Sequence, residues 1–176
     1  ELVDKALSQV PANAGETRPA PPARSAGRRR RGQAADGRPL DRFAALDLGT
    51  NNSVACVLLD DEAVVIADVD AQTIQPSVVS FMPDGRSVVG TTAKARMSSM
   101  PENTVYSAKR LIGRPFRSPE VQLAIEKYAY DILEGDDDNP RIRVAGQVLS
   151  IEQVQAIILR HMKDLAERYL QEEVTQ

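Results

Sequence analysis

The sequence predicts an α/β or α+β fold over residues 42–176, a mixed sheet built from β-hairpins with helices flanking it. Three observations carry that expectation. Phe43 to Leu59 is a pair of apolar runs around the short polar insert Asp47 to Ser53, the pattern of strand, turn and strand. Further short runs rich in β-branched residues follow, each bounded by Pro, Gly, Asn or Asp. A single long amphipathic stretch then begins at Ser150, with Ile151, Val154, Ile158, Met162, Leu165 and Tyr169 at steps of three and four. Hairpins followed by a helix with one apolar stripe fit a sheet with that helix laid across it.

In chain order, Ala63 to Ala67 and Pro76 to Phe81 read as strands. Met82-Pro83-Asp84-Gly85-Arg86 is a turn, and Ser87 to Val89 completes its hairpin. Thr91 to Met97 reads as a short helix capped by Thr91 or Thr92, ended by Pro101. Val105 to Arg114 reads as another, closed by Gly113. Ser118-Pro119-Glu120 is a helix start with proline in the first turn. Tyr128 to Leu133 and Arg141 to Val144 form a hairpin around Gly135 to Pro140. That loop is acidic, yet lacks the glycine and distal glutamate of a helix-loop-helix calcium site, so it reads as a solvated turn. Ser150 caps the long helix, with Gln153 placed for a capping box.

Residues 1–41 differ in kind. They hold five of the eleven prolines, four glycines and no aromatic residue, with an arginine run at Arg28 to Arg31. Such a stretch buries too little apolar surface to offset its ordering entropy and reads as a disordered tail or linker. Residues 1–42 carry nine Lys/Arg against five Asp/Glu, and the remainder thirteen against twenty. A mildly acidic globular part argues against nucleic-acid binding. The lone cysteine, Cys56, excludes an internal disulfide and reads as a core residue of the second strand. His161, the lone histidine, lies beside the apolar stripe with no second ligand for a metal. No apolar run is long enough for a membrane span, and the default location is cytoplasmic. Glu1 in place of methionine, and a helix running on toward Gln176, read as a piece of a longer chain.

The chemistry concentrates in the first hairpin. Its turn holds one carboxylate, one glycine and small polar side chains, leaving backbone N–H groups uncovered. Glycine admits a ligand without a Cβ in the way, and successive amides form a concavity suited to phosphate. Asp47, at the end of the first strand, suits a hydrated Mg²⁺ that takes one carboxylate plus phosphate oxygens. The candidate site is therefore Asp47, Gly49, Thr50, Asn51 and Asn52, with Lys109 or Arg110 as a distant cation set among apolar residues. Taken alone, the hairpin has a plain tight turn as its alternative reading.

Asp47-Leu48-Gly49-Thr50-Asn51-Asn52-Ser53 resembles the first phosphate motif of the actin-like, ribonuclease-H-like ATPases, which sugar kinases share. Pro76 to Phe81, Val89 to Lys94 and above all Pro101 to Arg114 resemble the heat-shock protein 70 family, the DnaK-type chaperones. The resemblance covers about Arg42 to Gln176 and not residues 1–41. It implies an actin-like ATPase fold, incomplete in this chain, and binding of ATP with Mg²⁺. Gly49, Thr50, Asn51 and Asn52 would contact the β- and γ-phosphates, Asp47 would stand near the metal through water, and Lys109 would contact the γ-phosphate and position the attacking water. It also implies unfolded polypeptide clients, a J-domain co-chaperone and a nucleotide exchange factor.

Asn51 stands where the family usually has a second threonine, Thr73-Ile74-Gln75 replaces its usual Arg-Thr-Thr, and Ala108 precedes Lys109 where isoleucine is usual. In the family the second phosphate loop, the adenosine-binding segment, the other catalytic carboxylates and the peptide-binding domain lie beyond the position of Gln176. This stretch would then form one wall of a nucleotide cleft and be inactive alone. Two other readings stand beside that one, a degenerate non-hydrolysing scaffold of the same fold and a small-molecule kinase sharing the phosphate loop.

Overall fold

The computed structural model describes residues 44–59 and 62–174. The proposed tail 1–41, with its arginine run, lies outside them. The first hairpin is β1 (Ala44–Leu48) and β2 (Asn52–Leu59), paired antiparallel from Ala44↔Val57 to Leu48↔Ser53. The other edge of β2 is shared by β3 (Glu62–Val65) and the two-residue β4 (Gln75–Pro76), which pair with its far and near ends. Period-two alternation turns Ser53, Ala55 and Val57 inward. Cys56 therefore falls on the opposite face and is half-buried, not a core residue as expected.

The expected strand Pro76 to Phe81 is broken at Ser77. β4 belongs to the first sheet, whereas β5 (Val78–Phe81) is the middle strand of a second, between β6 (Ser87–Val89) and β7 (Thr104–Tyr106). The β5–β6 turn closes as expected, with the Gly85 N–H donating to Met82 O at 3.0 Å and Gly85 at φ 84°. Helix α1 (Thr91–Ala95) is capped by the backbone of Gly90, and neither threonine supplies the cap. Val105 and Tyr106 lie in β7, not in a helix. Only Ala108–Leu111 winds, as one 3₁₀ turn entered through Ser107.

Helix α2 (Pro119–Lys127) starts after Ser118 as expected. The hairpin β8 (Asp131–Glu134) and β9 (Pro140–Val144) gains an unexpected third strand, β10 (Gln147–Ser150). Ala145 and Gly146 link them with φ values of 46° and 75°, the geometry of a two-residue hairpin turn. Helix α3 (Ile151–Leu170) has the full capping box, with the Gln153 N–H donating to Ser150 Oγ at 3.2 Å and the Ser150 N–H to Gln153 Oε1 at 2.7 Å. It packs across β1, β2 and the 3₁₀ turn, which joins the hairpin to the core of Val79, Val105, Leu111, Val121, Ile142 and Met162. Tyr169 leaves the stripe and is 46% exposed, while Leu170 beside it still packs on the core.

Candidate functional site

The tip of the first hairpin is tight. A Cβ built on Gly49 would stand 2.2 Å from the carbonyl oxygen of Asn52. Since Gly49 is not among the positive-φ residues, the glycine answers a lack of space and not a left-handed backbone. Thr50 is half-buried, while Asp47, Asn51 and Asn52 are exposed. The backbone N–H groups of Thr50 and Asn51 take no partner among the described residues. They are amides of the kind that anions occupy.

The tip is held from the sheet junction. Ser77 donates through Oγ to Gly49 O at 2.8 Å, and its own N–H donates to Asn51 O at 2.9 Å. Its hydroxyl proton being committed, Ser77 Oγ accepts from Ser53 Oγ at 2.9 Å, so the two buried hydroxyls form one directed chain. Because β5 pairs with β7 at Val78↔Tyr106, the residues after Tyr106 come out alongside Ser77. Tyr106 is fixed by the Tyr130 hydroxyl, which donates to Tyr106 O at 2.7 Å, and by edge contacts with Tyr128 and Tyr130 at 5.1 and 5.6 Å between ring centres. Burial pushes the Tyr130 phenol well above its usual range, so it stays a donor.

Ser107 then turns the chain through a left-handed conformation, φ 54° and ψ 17°. The following 3₁₀ turn buries Ala108 and Leu111, leaving Lys109 and Arg110 outside. Lys109 Nζ donates to Leu48 O, at the root of the loop. Ser107 Oγ comes within 3.5 Å of Asn51 Oδ1, a long contact across the tip. Arg110 shares the turn but makes no hydrogen bond to the loop. Of the two cations proposed from sequence, only Lys109 reaches the hairpin.

The Asp47 carboxylate has no hydrogen-bond or ion-pair partner among the described residues, so both oxygens are available to a hydrated cation. Among those residues no group of three or more His, Cys, Asp or Glu is arranged to hold a metal. A Mg²⁺ here fits only as one carboxylate, water and phosphate oxygens. An open groove of about 770 Å³ lies elsewhere, between the Asp68–Gln75 loop, β6 and the second half of α3, and no residue of the hairpin tip lines it. His161 lines that groove; burial first, then the Arg168 charge, lowers its pKa to about 4. Among the described residues no helix is long and apolar enough to cross a membrane.

The sequence reading missed Ser53, Ser77 and Ser107. Serine beside a β-branched run looks like strand edge or loop, and only the through-space pairing across 24 to 56 positions reveals what these hydroxyls hold. The sequence model of the Hsp70 protein family matches residues 43–176, most of the chain. That span takes in the hairpin tip, the Ser77 junction and the Lys109 turn, all three parts of the site. On that match the chain belongs to the Hsp70 family, and residues 43–176 fall in its N-terminal ATPase region.

Proposed function

We propose that residues 42–176 are the ATP-binding part of a DnaK-type chaperone of actin-like fold, preceded by a tail at 1–41. Family membership makes the region a chaperone-type ATPase domain, one that binds ATP and serves client polypeptides with co-chaperones. The finer reading is a cytoplasmic cycle in which ATP binding and hydrolysis alternate the capture and release of unfolded polypeptides. A J-domain protein stimulates that hydrolysis and a nucleotide exchange factor resets the cycle.

In this reading the amides of the Gly49–Asn52 tip cradle the β- and γ-phosphates, and Lys109 supplies a point charge where negative charge develops. Asp47 would hold a hydrated Mg²⁺ through water, and the ion would supply charge neutralisation at the phosphates. The observation that supports this most directly is the reach of Lys109 to Leu48 O, 61 positions away. That contact sets a positive charge at the root of the loop, beside the amides that would hold the phosphates.

The test is the full-length protein, followed for ATP turnover and for ATP-triggered release of a fluorescent unfolded peptide. Both are expected, with turnover rising when a J-domain is added. Peptide held equally in ATP and in its absence would overturn the chaperone cycle. Asn51 favours one second reading: an amide whose oxygen faces Ser107 stands where a hydroxyl is usual. In a non-hydrolysing scaffold, ATP binds and shifts conformation while turnover is absent, and Asn51→Thr restores it.

A further inference from the structure

We infer that Ser77 is the positioning residue of the phosphate loop, acting by fixing which way the loop's peptide groups face. The inference rests on the reading of the Gly49–Asn52 tip as a phosphate cradle. Ser77 contacts the loop twice, through its hydroxyl on Gly49 O at 2.8 Å and its N–H on Asn51 O at 2.9 Å. No cis peptide bond occurs among the described residues. In a planar trans peptide the carbonyl and the next N–H point in opposite directions. With the carbonyls of Gly49 and Asn51 drawn to Ser77, the N–H groups of Thr50 and Asn52 must face away from it.

One residue thus turns two acceptors inward and the N–H groups that follow them outward. A phosphate on the outer side meets the Thr50 N–H, which takes no partner among the described residues. Without the Ser77 hydroxyl, Gly49 O has lost its side-chain anchor, and the Gly49–Thr50 peptide is free to rotate and present a carbonyl to the ligand. That replaces an attraction for negative charge by a repulsion. Ser53 completes the device. Its hydroxyl donates to Ser77 Oγ from a position 1% exposed, which leaves the Ser77 proton only one direction to go. Ser77 lies at the point where the chain leaves the first sheet for the second, between β4 and β5, so both sheets hold the anchor in place. It touches no reacting atom.

The experiment compares affinities for MgATP and for adenosine in the full-length protein, wild type against Ser77→Ala, with folding checked by circular dichroism. Adenosine lacks every phosphate and reports the rest of the cleft. The expected result is an ATP affinity lower by about tenfold or more, the scale of a hydrogen bond to a charged group, with adenosine unchanged. Ser77→Thr, which keeps the hydroxyl, should recover most of the loss. Equal losses for both ligands, or no loss, overturn the positioning role. If wild type itself holds ATP no better than adenosine, the cradle reading falls and this inference with it; if wild type discriminates and Ser77→Ala does too, only the inference falls. Should Ser77→Ala not fold, Ser77→Cys keeps the volume with a weak donor and is judged by the same ratio.

Discussion

Lys109 Nζ donates to the carbonyl oxygen of Leu48, so an exposed lysine on a 3₁₀ turn is already seated at the root of a hairpin 61 positions earlier in the chain. In the proposed reading that ammonium would exchange the carbonyl for a phosphate oxygen, and a seat formed beforehand would lower the ordering entropy of binding.

Replacing it by alanine separates charge from fold. Lys109 is exposed and its turn is anchored by Ala108 and Leu111, so Lys109→Ala should change stability by less than about 0.5 kcal/mol. ATP turnover in the full-length protein should drop by roughly 10²–10³-fold, the effect of removing one preorganised charge-stabilising group. ATP affinity should largely survive. Single-turnover hydrolysis measures the first and calorimetry the second; unchanged turnover sinks the assigned role.

The sequence revealed the hairpin because its signals are local. Alternating apolar runs, a glycine between them and a capping box at Ser150 and Gln153 each act within a few residues, and each appears in the structure. It misread residues 105–114 because Tyr106 is held by Tyr130 and by pairing with Val78, long-range contacts that override a helical pattern. It missed β10 because the turn before it uses Ala145 at positive φ, a position where alanine gives no warning. Lys109 was chosen by its resemblance to a family motif, and nothing local distinguished it from Arg110. The site is a meeting of three segments, and a linear reading sees only the segment that looks like a turn.

Gly49 admits no side chain. An added Cβ would lie 2.2 Å from the backbone oxygen of Asn52, and backbone cannot rotate aside as a flexible side chain does. Gly49→Ala should lower stability by about 1–3 kcal/mol through forced displacement of the tip, and phosphate binding should fall with it. Urea midpoints at constant m-value measure the first. A variant as stable as wild type would show that the tip is looser than this geometry.

Helix α3 ends on Gln171 in the left-handed region, φ 54° and ψ 31°, where a Cβ is a liability and glycine is the common choice. Gln171→Gly should stabilise the domain by about 0.5–1 kcal/mol, or raise Tm by a few degrees, despite the greater freedom it gives the unfolded chain. Scanning calorimetry reads this directly; a lower Tm would mean that the glutamine side chain contributes more than the strain costs.

His161 predicts how stability follows pH. Its Nε2 is sealed from solvent without a hydrogen-bond partner among the described residues, and its pKa falls from 6.5 to about 4 through burial first and the Arg168 charge second, against a smaller opposing pull from Asp68. The folded imidazole thus stays neutral while the unfolded one protonates. Stability is therefore complete above pH 6.5 and is lost as pH falls from there toward 4, where the loss levels off. Between pH 7 and pH 5 the loss is of order 1–2 kcal/mol for this one group. Asp164, beside it on α3, runs the other way: burial and then Glu167 raise its pKa, so its contribution improves as acid is added. The comparison that isolates the histidine is wild type against His161→Leu in urea at pH 7 and pH 5, since Asp164 is common to both proteins. Wild type should lose stability more steeply; equal slopes would mean that the imidazole is solvated and titrates as it does in the unfolded chain.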